Sequence, residues 1–181
     1  MKYLGLMMLS VLIGAPLAVP AQAGETVEVL LVDRLDEPRG FCLDILGHKQ
    51  RARVDRGLQA HSCYSYQGQI GVDQGFDSDA IKAGRFHMPG FDVCMTAGGS
   101  QAGARLGLAK CDGSAPQGFS LAANGEIVAK SAPKLCVTVA GGESREGGGG
   151  RPVHLIRGLT LETCDEARGK YQRWRVRTKA D

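Results

Sequence analysis

Residues 40–46 read GFCLDIL, and the pattern returns as FDVCMTA at 91–97 and as PKLCVTV at 133–139. In each stretch a cysteine has an apolar neighbour on either side, while the cysteine and the next residue but one fall on the other face. That is the two-residue period of a half-buried strand. Leu43 and Ile45, Met95 and Ala97, and Val137 and Val139 are expected to point inward, which leaves Asp44, Thr96 and Thr138 at one equivalent outward position.

The remaining cysteines share a second frame: LQAHSC at 58–63, LGLAKC at 106–111 and LTLETC at 159–164. Leu58 with Ala60, Leu106 with Leu108, and Leu159 with Leu161 alternate toward the core. A few residues later each copy carries Gln-x-aromatic, as Gln74-Gly75-Phe76, Gln117-Gly118-Phe119 and Gln172-Arg173-Trp174. The same order of strand, loop, strand and Gln-x-aromatic thus occurs three times, at about 26–80, 81–126 and 127–181, which marks a modular architecture. The simplest pairing is one bridge per copy, Cys42 with Cys63, Cys94 with Cys111 and Cys136 with Cys164. Each bridge is worth roughly 3 kcal/mol through restriction of the unfolded chain. Glycine-rich connectors such as GGESREGGGG at 141–150 suit an all-β domain with turns, and no helical period stands out beyond the first residues.

Those first residues, MKYLGLMMLSVLIGAPLAVPAQAGE, combine Lys2, an apolar run broken by Gly14 and Pro16, and the small-x-small signal Ala21-Gln22-Ala23. This reads as a secretory signal peptide over 1–23 rather than as a membrane span, leaving 24–181 as one domain in an exported chain, periplasmic or secreted. All six cysteines lie in that mature part, and an even number in an oxidising compartment argues for disulfides. There is no C-x-x-C, and His48, His61, His87 and His154 have no ligand-like spacing to the cysteines, so no metal site is expected. The formal charge of +3 includes Lys2, and a nearly balanced mature chain says little about partners.

Threefold copies with Cys42-Leu43-Asp44, a second cysteine after a Leu-rich strand and a terminal Gln172-Arg173-Trp174 resemble the ricin B-type lectin family over residues 26–177. The resemblance implies a β-trefoil, with Phe76, Phe119 and above all Trp174 filling a shared core and the glutamines holding backbone where the chain turns. It also implies a sugar pocket: an aspartate two residues after the first cysteine, an aromatic ring two before the second, and a polar side chain just before Gln-x-aromatic. An ionised carboxylate suits neighbouring sugar hydroxyls because it only accepts hydrogen bonds and has two oxygens.

In the first copy Asp44 matches the aspartate, His61 stands at the ring position, Gln59 lies on the same face, and Asp73 precedes Gln74. These five residues are the candidate carbohydrate site. Tyr64 and Tyr66 are read as exposed loop residues able to supply a platform. The second copy has Thr96, Ala109 and Pro116 at the matching positions and the third has Thr138, Glu162 and Tyr171, so neither retains both acceptor and platform. The expected function is a lectin-like module with a single pocket. The alternative is a sugar-blind trefoil that docks onto protein, as a protease inhibitor or as a targeting subunit of a secreted assembly.

Lys49, Arg51, Arg53 and Arg56 make the loop beside that pocket basic, which favours an anionic glycan or phosphorylated sugar as partner. Arg173, Arg175 and Arg177 are expected on one strand face, with Trp174 and Val176 on the other. Nucleic acid fits poorly, because the chain is exported and almost neutral. G-x-S-x-G, H-E-x-x-H and phosphate-loop sequences are absent, the cysteines are paired, and neither an enzyme nor a cofactor is expected.

Overall fold

The computed structural model describes residues 24–179; the expected signal peptide lies outside the described residues. Each copy supplies four principal strands. The first has β1 (Thr26–Leu31), β2 (Phe41–Ile45), β3 (Leu58–Ser62) and β4 (Phe76–Asp77). The second has β5 (His87–Met88), β6 (Val93–Ala97), β7 (Ala104–Lys110) and β8 (Phe119–Leu121). The third runs through β9 (Ile127–Ala129) and β10 (Leu135–Val139), adds a ribbon of β11 (Arg145–Glu146) and β12 (Leu155–Arg157), and ends with β13 (Leu159–Thr163) and β14 (Trp174–Arg177).

The hairpins β2–β3, β6–β7 and β10–β13 are the paired-cysteine units, in full antiparallel register. The outer strands join one copy to the next: β1 pairs with β14 at the two ends of the chain, and β8 pairs with β9 across the second and third copies. This is the all-β trefoil. The bridges fall within copies, Cys42–Cys63, Cys94–Cys111 and Cys136–Cys164. One continuous core collects the inward residues of all three copies, with Phe76, Phe119 and Trp174 no more than 1% exposed. Phe86 bridges two of these rings edge-on, 6.1 Å from each centroid.

The glutamines explain why the unit repeats. In every copy the Gln Oε1 accepts from the backbone N–H just after the second cysteine, and its Nε2 donates to the carbonyl just before it. Gln74 does so at Tyr64 and Ser62, Gln117 at Asp112 and Lys110, and Gln172 at Asp165 and Thr163. A buried amide thus satisfies the two backbone groups that the hairpin leaves over where it ends.

Several expectations change. Asp44 and Thr138 do lie on the face opposite the core residues, yet each is only 1% exposed, because the returning Gln-x-aromatic segment covers that face. Two single-turn helices, α1 (Ser78–Lys82) and α2 (Gly169–Gln172), are too short to show a period in sequence. Asp77 caps α1 by accepting from the backbone of Asp79 and Ala80. On β14 Val176 is exposed, and Arg177 turns to the fully buried Glu28 at 3.0 Å because the two are direct cross-strand partners. The Arg145–Glu146 part of the glycine-rich connector is strand rather than turn.

Candidate functional site

The first-copy candidates converge, as a closed polar node. Asp44 on β2 faces Gln59 on β3, whose Nε2 donates to Oδ1 at 2.8 Å, while Gln74 Nε2 donates to Oδ2 at 3.1 Å. Both carboxylate oxygens expected to meet a ligand are therefore engaged from within. Asp73 is fully buried: Oδ2 accepts from the Lys49 backbone N–H, and Oδ1 has no partner. Burial and then the neighbouring Asp73 charge push the Asp44 carboxyl well above its ordinary range, against the pull of the two amides. Burial likewise raises Asp73.

Raised carboxyls hold their protons more tightly folded than unfolded, so the pair supports stability in acid, and that support is lost as pH climbs from about 4 through the raised values. Asp73→Asn removes the like charge beside Asp44. It is expected to raise unfolding free energy at pH 7 by about 1–2 kcal/mol, and by less at pH 4. Chemical denaturation at both pH values checks this, and an equal gain at each would exclude the charge origin.

Beside the node opens a cleft of about 440 Å³, walled by His48, Arg51, His61, Tyr64, His154 and Ile156 and edged by residues 147–149. Three rings meet there: His61–Tyr64 and His61–His154 centroids lie 5.2 Å apart, and Tyr64 stands edge-on to His154 at 5.3 Å. The Tyr66 hydroxyl reaches His154 Nε2 at 2.9 Å. Tyr66 is exposed as expected, whereas Tyr64 is buried, its ring seated where Gly71 leaves room: a Cβ there would lie 2.6 Å from Tyr64 Cδ2. His61, expected to face a ligand, is only 5% exposed, packed against the rings of Tyr64 and His154. Its Nδ1–H donates to the Ser62 carbonyl at 2.9 Å, and burial outweighs that bond to bring its pKa down to about 4.

His154 and Ile156 come from the third copy. The β11–β12 ribbon pairs with β3, setting Ile156 opposite His61. It is held by two acids of the β1–β2 loop. Asp36 accepts from Ser144 and from Arg157; burial raises its carboxyl, but these bonds outweigh it and bring it down to about 2. Glu37, 1% exposed, is gripped by Arg39 and Ser62, and these also bond Val153 O and Leu155 N of the ribbon. The sequence reading missed this contribution. Its signal was the spacing of the third cysteine pair, 28 residues against 21 and 17 in the others.

The model of the ricin-type β-trefoil lectin domain matches residues 34–155 and 82–181. The chain belongs to this family. No curated protein matches it. Among solved structures it resembles the mdaA-1 domain, with 16% identity and a TM-score of 0.58 over 90% of this chain and 97% of that one. It resembles the agglutinin of Abrus precatorius with 20% identity and a TM-score of 0.57 over 88% of this chain and 51% of that one. A third likeness is the C-terminal domain of an earthworm lectin, a mutant in complex with 6'-sialyllactose: 15% identity and a TM-score of 0.56 over 86% of this chain and 99% of that one. At such identities the likenesses show the fold.

Within this ricin-type chain the other two copies keep the scaffold glutamine but not the acid. Thr138 Oγ1 takes the Gln172 amide at 2.9 Å and donates to Cys136 O, and Thr96 Oγ1 donates to Cys94 O. A hydroxyl replaces the carboxylate as partner to the glutamine in the third copy, with no charge for a ligand. Among the described residues no helix is long and apolar enough to cross a membrane.

Proposed function

We propose that this ricin-type trefoil binds carbohydrate in the first-copy cleft, as an exported, non-catalytic module. The observation that carries the reading is the ring wall of His61, Tyr64 and His154, the only such wall among the described residues that is backed by the Asp44–Gln59–Gln74 node. The rings line the cleft as an apolar wall, with half-buried His154 the most accessible of the three, His48 and Arg51 offer donors at the rim, and Gln74 of the node accepts from the Tyr64 backbone N–H. Asp44 and Asp73 act in this reading as support beneath the platform. The fold is shared with an earthworm lectin solved with 6'-sialyllactose and an earthworm R-type lectin half solved with GalNAc, which supports a glycan ligand.

One shallow cleft with few hydrogen bonds gives weak binding, with millimolar dissociation constants equivalent to roughly 4 kcal/mol. Saturation-transfer NMR with galactose, GalNAc and sialyllactose at about 10 mM tests it. Wild type is expected to give a sugar signal, and His154→Ala to weaken it about fivefold with little change in melting temperature, because His154 is a half-buried wall residue. Absence of signal from wild type would favour the sugar-blind alternative, a trefoil docking onto protein. A signal that His154→Ala leaves intact would move the sugar elsewhere.

A further inference from the structure

A second cleft, of about 290 Å³, opens where the three copies meet. Its lining includes Leu58, Leu106 and Leu159, each five residues before the second cysteine of its copy, so the cleft straddles the pseudo-threefold axis. Around these leucines stand Arg56, Arg105, Arg145 and Arg157, and no carboxylate lines the cleft. Arg56 and Arg157 occupy equivalent positions seven residues before their cysteines, and Arg105 sits one place further on in the second copy. Each copy therefore sends an arginine to one point.

The arrangement is built rather than incidental to loop position. Gly57, at φ +77°, lets the first copy's loop approach the β7 backbone so closely that a Cβ would lie 2.6 Å from Leu106 O, and this brings Arg56 beside Arg105. Arg157 is 5% exposed and neutralised by Asp36 at 2.8 Å. Arg56, Arg105 and Arg145 form no ion pair among the described residues, and neighbouring Asp55 is held by Arg53 at 2.9 Å. Glu162 lies two residues along from Thr160, whose hydroxyl it accepts at 2.8 Å. Three guanidinium groups are thus left without close partners around a leucine floor, where a low-dielectric wall strengthens their field. Guanidinium forks match the planar pairs of oxygens on a tetrahedral oxyanion.

We propose that this axial cleft binds the sulfate or phosphate ester of an anionic glycan, at a site separate from the first-copy cleft and independent of whether that cleft binds sugar. The leucine floor would take the sugar's apolar face and the arginines its ester oxygens.

The test is a heteronuclear NMR titration that resolves arginine Nε–Hε signals, using a sulfated disaccharide, the same disaccharide desulfated, glucose 6-phosphate and inorganic phosphate. Esterified sugars are expected to shift Arg56, Arg105 and Arg145 together with the backbone of Leu159 and Thr160; the desulfated sugar is expected not to. The double variant Arg105→Gln with Arg145→Gln should weaken ester binding about tenfold or more. A charge-matched control, Lys110→Gln with Lys134→Gln at the far end of the hairpins, should not, and His154→Ala should leave it unchanged. Shifts centred on His61 and His154, equal weakening by the lysine control, inorganic phosphate binding as tightly as the esters, or no arginine shift at millimolar ester would each overturn the assignment.

Discussion

Replacing Trp174 by alanine is expected to lower the free energy of unfolding by about 3–5 kcal/mol, and the melting temperature by roughly 6–20 °C. The ring is 1% exposed and sits on the strand that closes the chain ends together, with Trp174 opposite Leu31. Its indole N–H donates to Val137 O at 3.0 Å, so truncation both opens a cavity shared by the first and third copies and strips a buried carbonyl of its partner. The Trp174 backbone is itself pinned, its N–H donating to Gly125 O at 2.7 Å, which limits how far the strand can shift into the space the ring leaves. Trp174→Phe keeps most of the volume and loses the donor, so it should cost about 1–2 kcal/mol. Because Trp174 is the chain's one tryptophan, unfolding is best followed by circular dichroism under non-reducing conditions. A loss below about 1 kcal/mol for the alanine variant would show that the ring is not a core plug.

Acidification from pH 7 to pH 4 is expected to cost the wild type about 3 kcal/mol relative to His61→Phe. Burial lowers the His61 imidazole from its ordinary 6.5 to about 4. Between these values the unfolded chain takes up a proton that the folded chain refuses, so the stability is complete above about 6.5 and is lost as pH falls toward 4. The raised carboxyls Asp44 and Asp73 act in the opposite direction, and comparison with the variant removes their contribution. Phenylalanine suits the comparison because it fills the ring volume without titrating, and Ser62 O keeps its bond from Gln74 when the imidazole N–H is lost. Parallel curves of stability against pH for the two proteins would show that the imidazole is not shielded as the structure has it. The folded chain takes this proton only near pH 4, so any loss of sugar binding caused by His61 should appear there and not between about pH 6.5 and 5.

Strand existence, hairpin pairing and the order of copies were legible because each rests on a local regularity: a two-residue period, a repeated spacing, a recurring triplet. The intracopy bridges followed from the same regularity, while the structural work of Gln74, Gln117 and Gln172 was what the family resemblance implied. The site was legible only as a set of positions. Asp44, Gln59, Asp73 and Gln74 do meet, but alternation alone assigns Asp44 to an outward face and cannot register that a returning segment covers it. Tyr64 failed for a similar reason: its burial depends on the space above Gly71, which no pattern around Cys63 reports.

Spacing and residue type carried the triplication, the disulfide pairing and the all-β class and left the acid candidate in the first copy alone, while the trefoil was what the resemblance to ricin B-type lectins implied. The folded arrangement was needed to see that Asp44 is engaged by two amides, that His154 of the third copy completes the first copy's cleft, and that arginines from three copies surround one axial opening. Burial, ion pairing and charge focusing depend on distances between segments up to 149 residues apart, as with Glu28 and Arg177, and such distances exist only once the copies have closed around their core.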